Sequence, residues 1–295
     1  MTAISLDHLN AADKPAFVAA LGGIFEHAPW VAEEVFAQRP FATLASLHAA
    51  MTDAVEGADA KRRLALMKAH PDLAGKAARA GDVTADSHAE QASAGLDRLS
   101  DVDYARFHRL NDAYRVRFGI PFIICVRRHT KDSILQQFER RLMNEAAIEL
   151  NTALGEVFRI AALRLDQHVS APDRLKVHGR LSTHVLDNHA GRPAQGLWLT
   201  LRELPEHDDP RLIVRVSTNT DGRTDAPLIQ GQPVPIGRYE LLFAVGDYYS
   251  ELGTPVADPP FLDVVPVRFS VADPEGHYHV PLLVTPWSYS TYRGS

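Results

Sequence analysis

Two rhythms of apolar residues divide the chain. In the first, Phe107, Leu110, Tyr114 and Phe118 recur at spacings of three and four, which places them on one stripe of a helix. Ser100 with Asp103 makes an acidic variant of the capping box ahead of that stripe, and Gly119 stands where a C-terminal cap belongs. A second helical pattern runs from about Lys131 to Leu165, with Ile134, Leu135, Phe138 and Leu142 on one face and an internal Gly155 that weakens the pattern without ending it. A third helix is expected over Ala60 to Lys68, stopping ahead of Pro71 because the residue before a proline resists the α region.

Beyond about residue 170 the rhythm changes to short runs rich in β-branched and aromatic residues: Leu212 to Val216, Tyr239 to Val245 and Val264 to Val271. Asp221-Gly222, Ile236-Gly237, Asp258-Pro259-Pro260 and Asp273-Pro274 punctuate them as turns. Strands at this spacing predict an antiparallel sandwich. Proline usage agrees: five of the 19 prolines precede residue 170 and fourteen follow it, so the second half cannot be mostly helical. The expected architecture is therefore multi-domain: an all-α helical bundle over 1–166, a linker over 167–177 and an all-β sandwich over 178–295.

Composition adds limits rather than identity. The 295 residues allow two domains. A net charge of -6 argues against a general nucleic-acid or anionic-membrane binder, although local Arg and His groups still allow a small anionic substrate. The one cysteine, Cys125, excludes an intrachain disulfide and fits a reducing compartment such as the cytoplasm. Its apolar neighbours make it a buried thiol more readily than a nucleophile. Neither a secretion signal nor a membrane-spanning run of about 18 apolar residues is read from the sequence.

Polar residues gather in three places in the second half: Leu181-Ser182-Thr183-His184-Val185-Leu186-Asp187, then Thr218 to Arg223, then His277-Tyr278-His279-Val280-Pro281-Leu282-Leu283-Val284 with the tail Tyr289 to Ser295. Strand alternation puts His277 and His279 on one face. Singly, a histidine in a strand is more often a hydrogen-bonded structural residue than a catalyst, and no His-Glu-x-x-His pattern supports a metal site. Together, from roughly Lys176 to Ser295, these motifs and the terminal Tyr292-Arg293-Gly294-Ser295 strongly resemble the transthyretin-related 5-hydroxyisourate hydrolases. The resemblance implies a transthyretin-like sandwich, catalytic groups on His184, Arg223, His279, Tyr292 and Ser295, and substrate contacts from Arg293 and Gly294. It also implies a homotetramer with sites at subunit interfaces. In chemical terms, a histidine of near-neutral pKa takes a proton from water and an arginine steadies the oxyanion. Which histidine holds the water is left open. A tail that belongs to a site is expected to be ordered and at least partly buried.

In the first half the candidates are His70-Pro71-Asp72-Leu73-Ala74-Gly75-Lys76, Ser87, Glu90-Gln91-Ala92-Ser93-Ala94-Gly95-Leu96 and Phe118 to Cys125. His70 alone could cap a helix end, and Glu90 alone could be a solvated helix residue. The pair of motifs, about twenty residues apart, resembles 2-oxo-4-hydroxy-4-carboxy-5-ureidoimidazoline (OHCU) decarboxylases over Ser5 to Leu165. That resemblance implies His70 and Glu90 as the catalytic pair. Pro71, Ser87, Gln91 and Arg164 would bind substrate, with main-chain groups at Phe122 and Ile123. It implies no cofactor and no metal, and paired helical domains are a further expectation. The substrate's conjugated ring supplies the electron sink, so the protein's part is to orient the carboxylate and deliver a proton, for which His70 is the expected acid.

The two resemblances name successive steps. One enzyme makes the OHCU that the other turns into S-allantoin, so a single bifunctional chain of urate breakdown is expected. Three rivals stay open at this point: a carrier of the transthyretin type joined to a helical interaction domain, a metal-dependent cyclic amidohydrolase, and one live domain beside a dead one.

Overall fold

The computed structural model describes residues 3–75 and 84–294, and Lys76 and Ser295 lie outside them. The chain forms two compact units, Met1–Arg127 with Ser133–Val177, and Arg128–Asp132 with His178–Ser295.

The first unit is helical. Its described α-helices are α1 (Leu6–Ala11), α2 (Lys14–Leu21), α3 (Trp30–Val35), α4 (Leu44–Gly57), α5 (Ala60–Lys68), α6 (Ala85–Ser93), α7 (Asp101–Phe118), α8 (Lys131–Arg141) and α9 (Ala146–His168). Capping sets several boundaries as the sequence requires. Ser100 accepts the Asp103 amide at the start of α7, and Gly119 ends it with φ 69°, a left-handed conformation that costs glycine least. The α5 boundaries are those expected. The stretch expected as one helix over Lys131 to Leu165 is two. The chain leaves the helix between Arg141 and Ala146, where Arg141 and Asn144 turn their side chains onto Glu149. Packing on that buried carboxylate overrides a continuous apolar stripe. Gly155 stays inside α9. Buried Phe17, Phe25, Leu47, Met51, Phe107, Tyr114, Phe138 and Val157 share one core, and Cys125 is buried among them.

The residues read as a linker are partly ordered on this unit. His168 closes α9, and Val169–Ser170 form strand β2, paired in parallel with β1 (Ile4–Ser5). Asp173 accepts the amides of Leu44 and Ala45 at the start of α4.

The second unit is a sandwich. One sheet holds β3 (Gly179–Asp187), β4 (Arg192–Pro193), β7 (Ile229–Gln232), β10 (His277–Val284) and β11 (Tyr289–Thr291). The other holds β5 (Trp198–Glu203), β6 (Arg211–Ser217), β8 (Gly237–Ala244) and β9 (Val264–Val271) in the order β6-β5-β8-β9. Short helix α10 (Val245–Glu251) follows β8, so Val245, expected in a strand, opens a helix. One expectation needs correction: β3 and β10 run parallel, with His279 opposite Ser182 and Pro281 opposite His184. These strands stand far apart in sequence, so no hairpin constrains their direction. Leu181, Val185, Tyr278, Val280, Leu282 and Val284 point into the core with Leu199, Leu241 and Phe243. Alternation then puts Ser182, His184, His277 and His279 on the outward face.

Candidate functional sites in the two units

In the helical unit, His70 follows the end of α5 and is 7% exposed. Its Nδ1 lies 3.0 Å from the Leu66 carbonyl, which fixes Nδ1 as the protonated nitrogen and leaves Nε2 as the free lone pair. The ring thus does cap a helix end, and the same bond orients it. Burial pushes His70 down to about 4, partly opposed by the Leu66 bond and the charge of Glu26. It is a neutral imidazole at neutral pH.

His70 lines one cavity with Pro71, Ser87, Glu90, Gln91, Phe122, Ile123 and Arg164, so every described residue expected at this site converges. Leu73, Ile124, Val126 and Ile160 supply apolar wall. Arg164, on α9 and 3% exposed, is the charged centre. Its Nε and Nη2 donate to the two oxygens of Glu90 at 2.8 and 2.9 Å, a bidentate pair. Nη1 donates to Glu26 at 2.6 Å, and Nη2 also reaches the Ser87 hydroxyl at 3.2 Å. These bonds hold Arg164 well above the ordinary arginine range against the cost of burial. Glu26 is the residue sequence reading missed. It is 2% exposed and accepts from Thr84 and Ser87 as well as Arg164. Burial works against its ionisation, yet the Arg164 charge keeps its carboxyl below the usual value. Its neighbours His27 and Phe25 form no motif, so nothing local distinguished it.

The walls are fixed from behind. Gln91 accepts the Ala74 amide at 2.9 Å, and Asn111 donates to the Leu73 carbonyl at 2.9 Å, holding the loop after His70. Gly95, at φ 74°, ends the Glu90 helix in the left-handed conformation, which explains Ala94-Gly95-Leu96. Arg141 donates to the Ile123 carbonyl at 2.8 Å and pairs with Glu149, which Tyr114 also contacts. Glu156 accepts the Cys125 amide at 2.8 Å. The Ile123 carbonyl and the Cys125 amide are therefore both held from behind, which fixes this segment of the wall.

In the sandwich unit, His184 and Arg223 face each other across an antiparallel bridge. Val185 donates to the Gly222 carbonyl at 2.8 Å; a Cβ on Gly222 would stand 2.3 Å from the Val185 oxygen, so the Asp221-Gly222-Arg223 turn needs glycine. Desolvation, then the Arg223 charge, lower the His184 pKa, opposed by a bond that the ring donates to the Asp221 main-chain carbonyl and by the Asp221 charge. Its Nε2 is buried with no hydrogen-bond partner among the described residues. His279 is also lowered, by desolvation and by the charges of Arg223 and His184. Ser182, outside the expected set, lies 3.0 Å from Nδ1 of His279 and 3.2 Å from Nε2 of His277, so one hydroxyl links both rings. The structure thus brings His184, Arg223 and His279 to one outward sheet face.

The tail differs from expectation in part. β11 pairs with β10, and Gly294 donates to the His279 carbonyl at 2.9 Å, so the backbone is fixed beside the site. Tyr292 is nevertheless 59% exposed, and Arg293 is exposed with its guanidinium carbon 4.8 Å from the Tyr278 ring centre. An edge strand has a neighbour on one side only, so these side chains stand open in a single chain. Among the described residues, no group of three or more His, Cys, Asp or Glu is placed to hold a metal ion. No described helix is long and apolar enough to cross a membrane.

Comparison with known proteins follows the same division. Residues 10–166 match the OHCU decarboxylase family, and residues 181–294 match the HIUase/Transthyretin family. The chain is 44% identical over 171 residues to a 2-oxo-4-hydroxy-4-carboxy-5-ureidoimidazoline decarboxylase of Haloferax volcanii, covering 58% of this chain and 99% of that protein. It is 57% identical over 117 residues to a 5-hydroxyisourate hydrolase of Ralstonia nicotianae, covering 40% of this chain and 99% of that protein. A crystal structure of (S)-allantoin synthase aligns over 99% of this chain and 100% of its own, with 35% identity and a TM-score of 0.51.

Proposed function

Because the chain belongs to the OHCU decarboxylase family through its first half and to the HIUase/transthyretin family through its second, we propose a bifunctional enzyme of urate breakdown. It hydrolyses 5-hydroxyisourate to OHCU and decarboxylates OHCU to S-allantoin. The observation that carries this reading is that each half assembles its own reactive group: neutral His70 with Arg164 and Glu90 in one cavity, and His184, Arg223 and His279 on one sheet face.

Hydrolysis proceeds by general base catalysis at the sheet face. A neutral histidine takes a proton from water, whose oxygen attacks the ring carbonyl; Arg223 stabilises the oxyanion, and the proton returns to the departing ring nitrogen as the carbon–nitrogen bond breaks. Burial and the Arg223 charge lower both His184 and His279, so either ring is a neutral acceptor for the water's proton. Tyr292 to Ser295 complete the site, with Arg293 and Gly294 at the substrate.

Decarboxylation takes place around His70. A neutral ring has no spare proton, so the acid must be loaded within the reaction. Nε2 takes the proton of the substrate's 4-hydroxyl, the bond to the carboxylate breaks, and its electron pair enters the conjugated ring. The same proton is then delivered to ring carbon from one side, which gives a single enantiomer, and a second proton taken up from solvent neutralises the ring nitrogen that received the electron pair, so one proton is consumed for each carbon dioxide released. Arg164 holds the carboxylate, Glu90 the hydroxyl side, and Pro71, Ser87, Gln91 and the amides near Phe122 and Ile123 the rest. No cofactor enters either step.

The assembly proposed is a homotetramer through the sandwich domains with the helical domains paired. Support comes from the outward sheet face, where the site lies open on one side in a single chain. A cytoplasmic, reducing location is supported by the single cysteine. The test supplies fresh 5-hydroxyisourate to the full chain and to His70→Ala and His279→Ala variants, followed by absorbance and circular dichroism. His70→Ala should accumulate OHCU, and His279→Ala should leave 5-hydroxyisourate to decay spontaneously. Wild-type protein that leaves both intermediates at their spontaneous rates would end the proposal.

A further inference from the structure

Arg164 has no spare donor. Glu90 occupies its Nε–Nη2 edge, Ser87 shares Nη2, and Glu26 and the Gly23 carbonyl take Nη1, at 2.6 and 3.4 Å. Two carboxylates face one guanidinium beside a neutral His70, so these groups sum to one negative charge before a carboxylate-bearing substrate arrives. Simple addition of that substrate would place three carboxylates around one cation. Exchange of one carboxylate for another avoids this.

The geometry says which one moves. Glu90 lines the cavity, and its side chain keeps 16% exposure. Glu26 does not line it, is 1% exposed at its side chain, and is held by Thr84 and Ser87 besides Arg164. Glu90 stands in front of the guanidinium and Glu26 behind it.

We infer that Glu26 is a positioning residue for decarboxylation: it keeps Arg164 anchored and aimed while the substrate's carboxylate displaces Glu90 from the opposite edge. Glu90 then turns to the substrate hydroxyl, beside the His70 Nε2 that receives its proton. Without the rear anchor, Arg164 follows Glu90, and the scissile carboxylate loses its fixed orientation. This inference rests on the decarboxylase reading above.

The test compares wild type, Glu26→Gln and Glu26→Asp in the full chain, with OHCU generated from fresh 5-hydroxyisourate. Glu26→Gln keeps the shape and the hydrogen-bond acceptor but removes the charge. Its decarboxylation kcat is expected to fall about tenfold or more with a smaller change in KM, because orientation and not encounter is lost. The acidic limb of kcat/KM should move to lower pH, since Glu26 is the negative charge supporting His70 protonation against Arg164 and His27. Glu26→Asp keeps the charge and withdraws it from Arg164, so it should restore the limb but not kcat. Hydrolysis of 5-hydroxyisourate should be unchanged in all three. A Glu26→Gln kcat within about twofold of wild type, or a loss matched by the unfolded fraction measured by circular dichroism, overturns the inference. Absence of decarboxylation in wild type would instead strike the function proposed for this half.

Discussion

Gly294 lies flat against the ring of His279: a Cβ built on it would stand 2.7 Å from the ring Cδ2, while its N–H donates to the His279 carbonyl at 2.9 Å. The tail is thereby the wall that sets the tilt of the His279 ring. Gly294→Ala must displace either the strand end or the imidazole. Hydrolysis is expected to fall about ten- to a hundredfold, a loss of about 1.4–3 kcal/mol of transition-state stabilisation. Decarboxylation measured on the same sample should not change, and an unaltered hydrolysis rate would show that the tail does not orient His279.

The sandwich site should remain active in mild acid. Burial and the Arg223 charge lower both His184 and His279 from the ordinary 6.5. The acidic limb of kcat/KM for hydrolysis is therefore expected below pH 6.5. Arg223→Gln removes the shared positive charge and should move that limb upward while lowering the rate. An upward-shifted wild-type limb would contradict the arrangement.

His70 couples acid to the stability of the helical unit. It titrates near 4 when folded and near 6.5 when unfolded. Below pH 6.5 the unfolded chain therefore takes up a proton that the folded site refuses, and stability falls as pH drops from 6.5 toward 4. The full effect approaches about 3 kcal/mol. Denaturant unfolding of wild type and His70→Gln across pH 7 to 4.5 should show a shallower loss in the variant.

Arg141 is pinned between Glu149 and the Ile123 carbonyl, and both its side chain and that of Glu149 are almost fully buried. Arg141→Met leaves a buried carboxylate without its cation and should cost about 3–5 kcal/mol by denaturant titration. Arg141→Met with Glu149→Gln should recover part of that. Decarboxylation in the double variant should still be impaired, because the segment after Phe122 has lost its rear support.

Much of this was legible in sequence because it depends on local chemistry. The Ser100 cap, the Gly119 stop, and the alternation that put His277 and His279 together follow from neighbours a few residues away. What escaped depends on distant partners. The break after Arg141 arises from a carboxylate eight residues on, and the parallel pairing of β3 with β10 joins segments about 95 residues apart. Glu26 acquires its role only from Arg164, 138 positions away, and Ser182 only from the histidines of β10. A lone Glu or Ser carries no pattern of its own.

The bidentate Arg164–Glu90 pair has one more consequence, for turnover. In the proposed decarboxylation, the substrate holds Arg164 through the very group that leaves as carbon dioxide. Once that group is gone, the product has nothing with which to compete against Glu90, and the pair re-forms behind it. The proposed chemical step would therefore also expel its product. Allantoin should be a poor inhibitor even at high concentration, whereas an unreactive ring analogue that keeps a carboxylate should inhibit well.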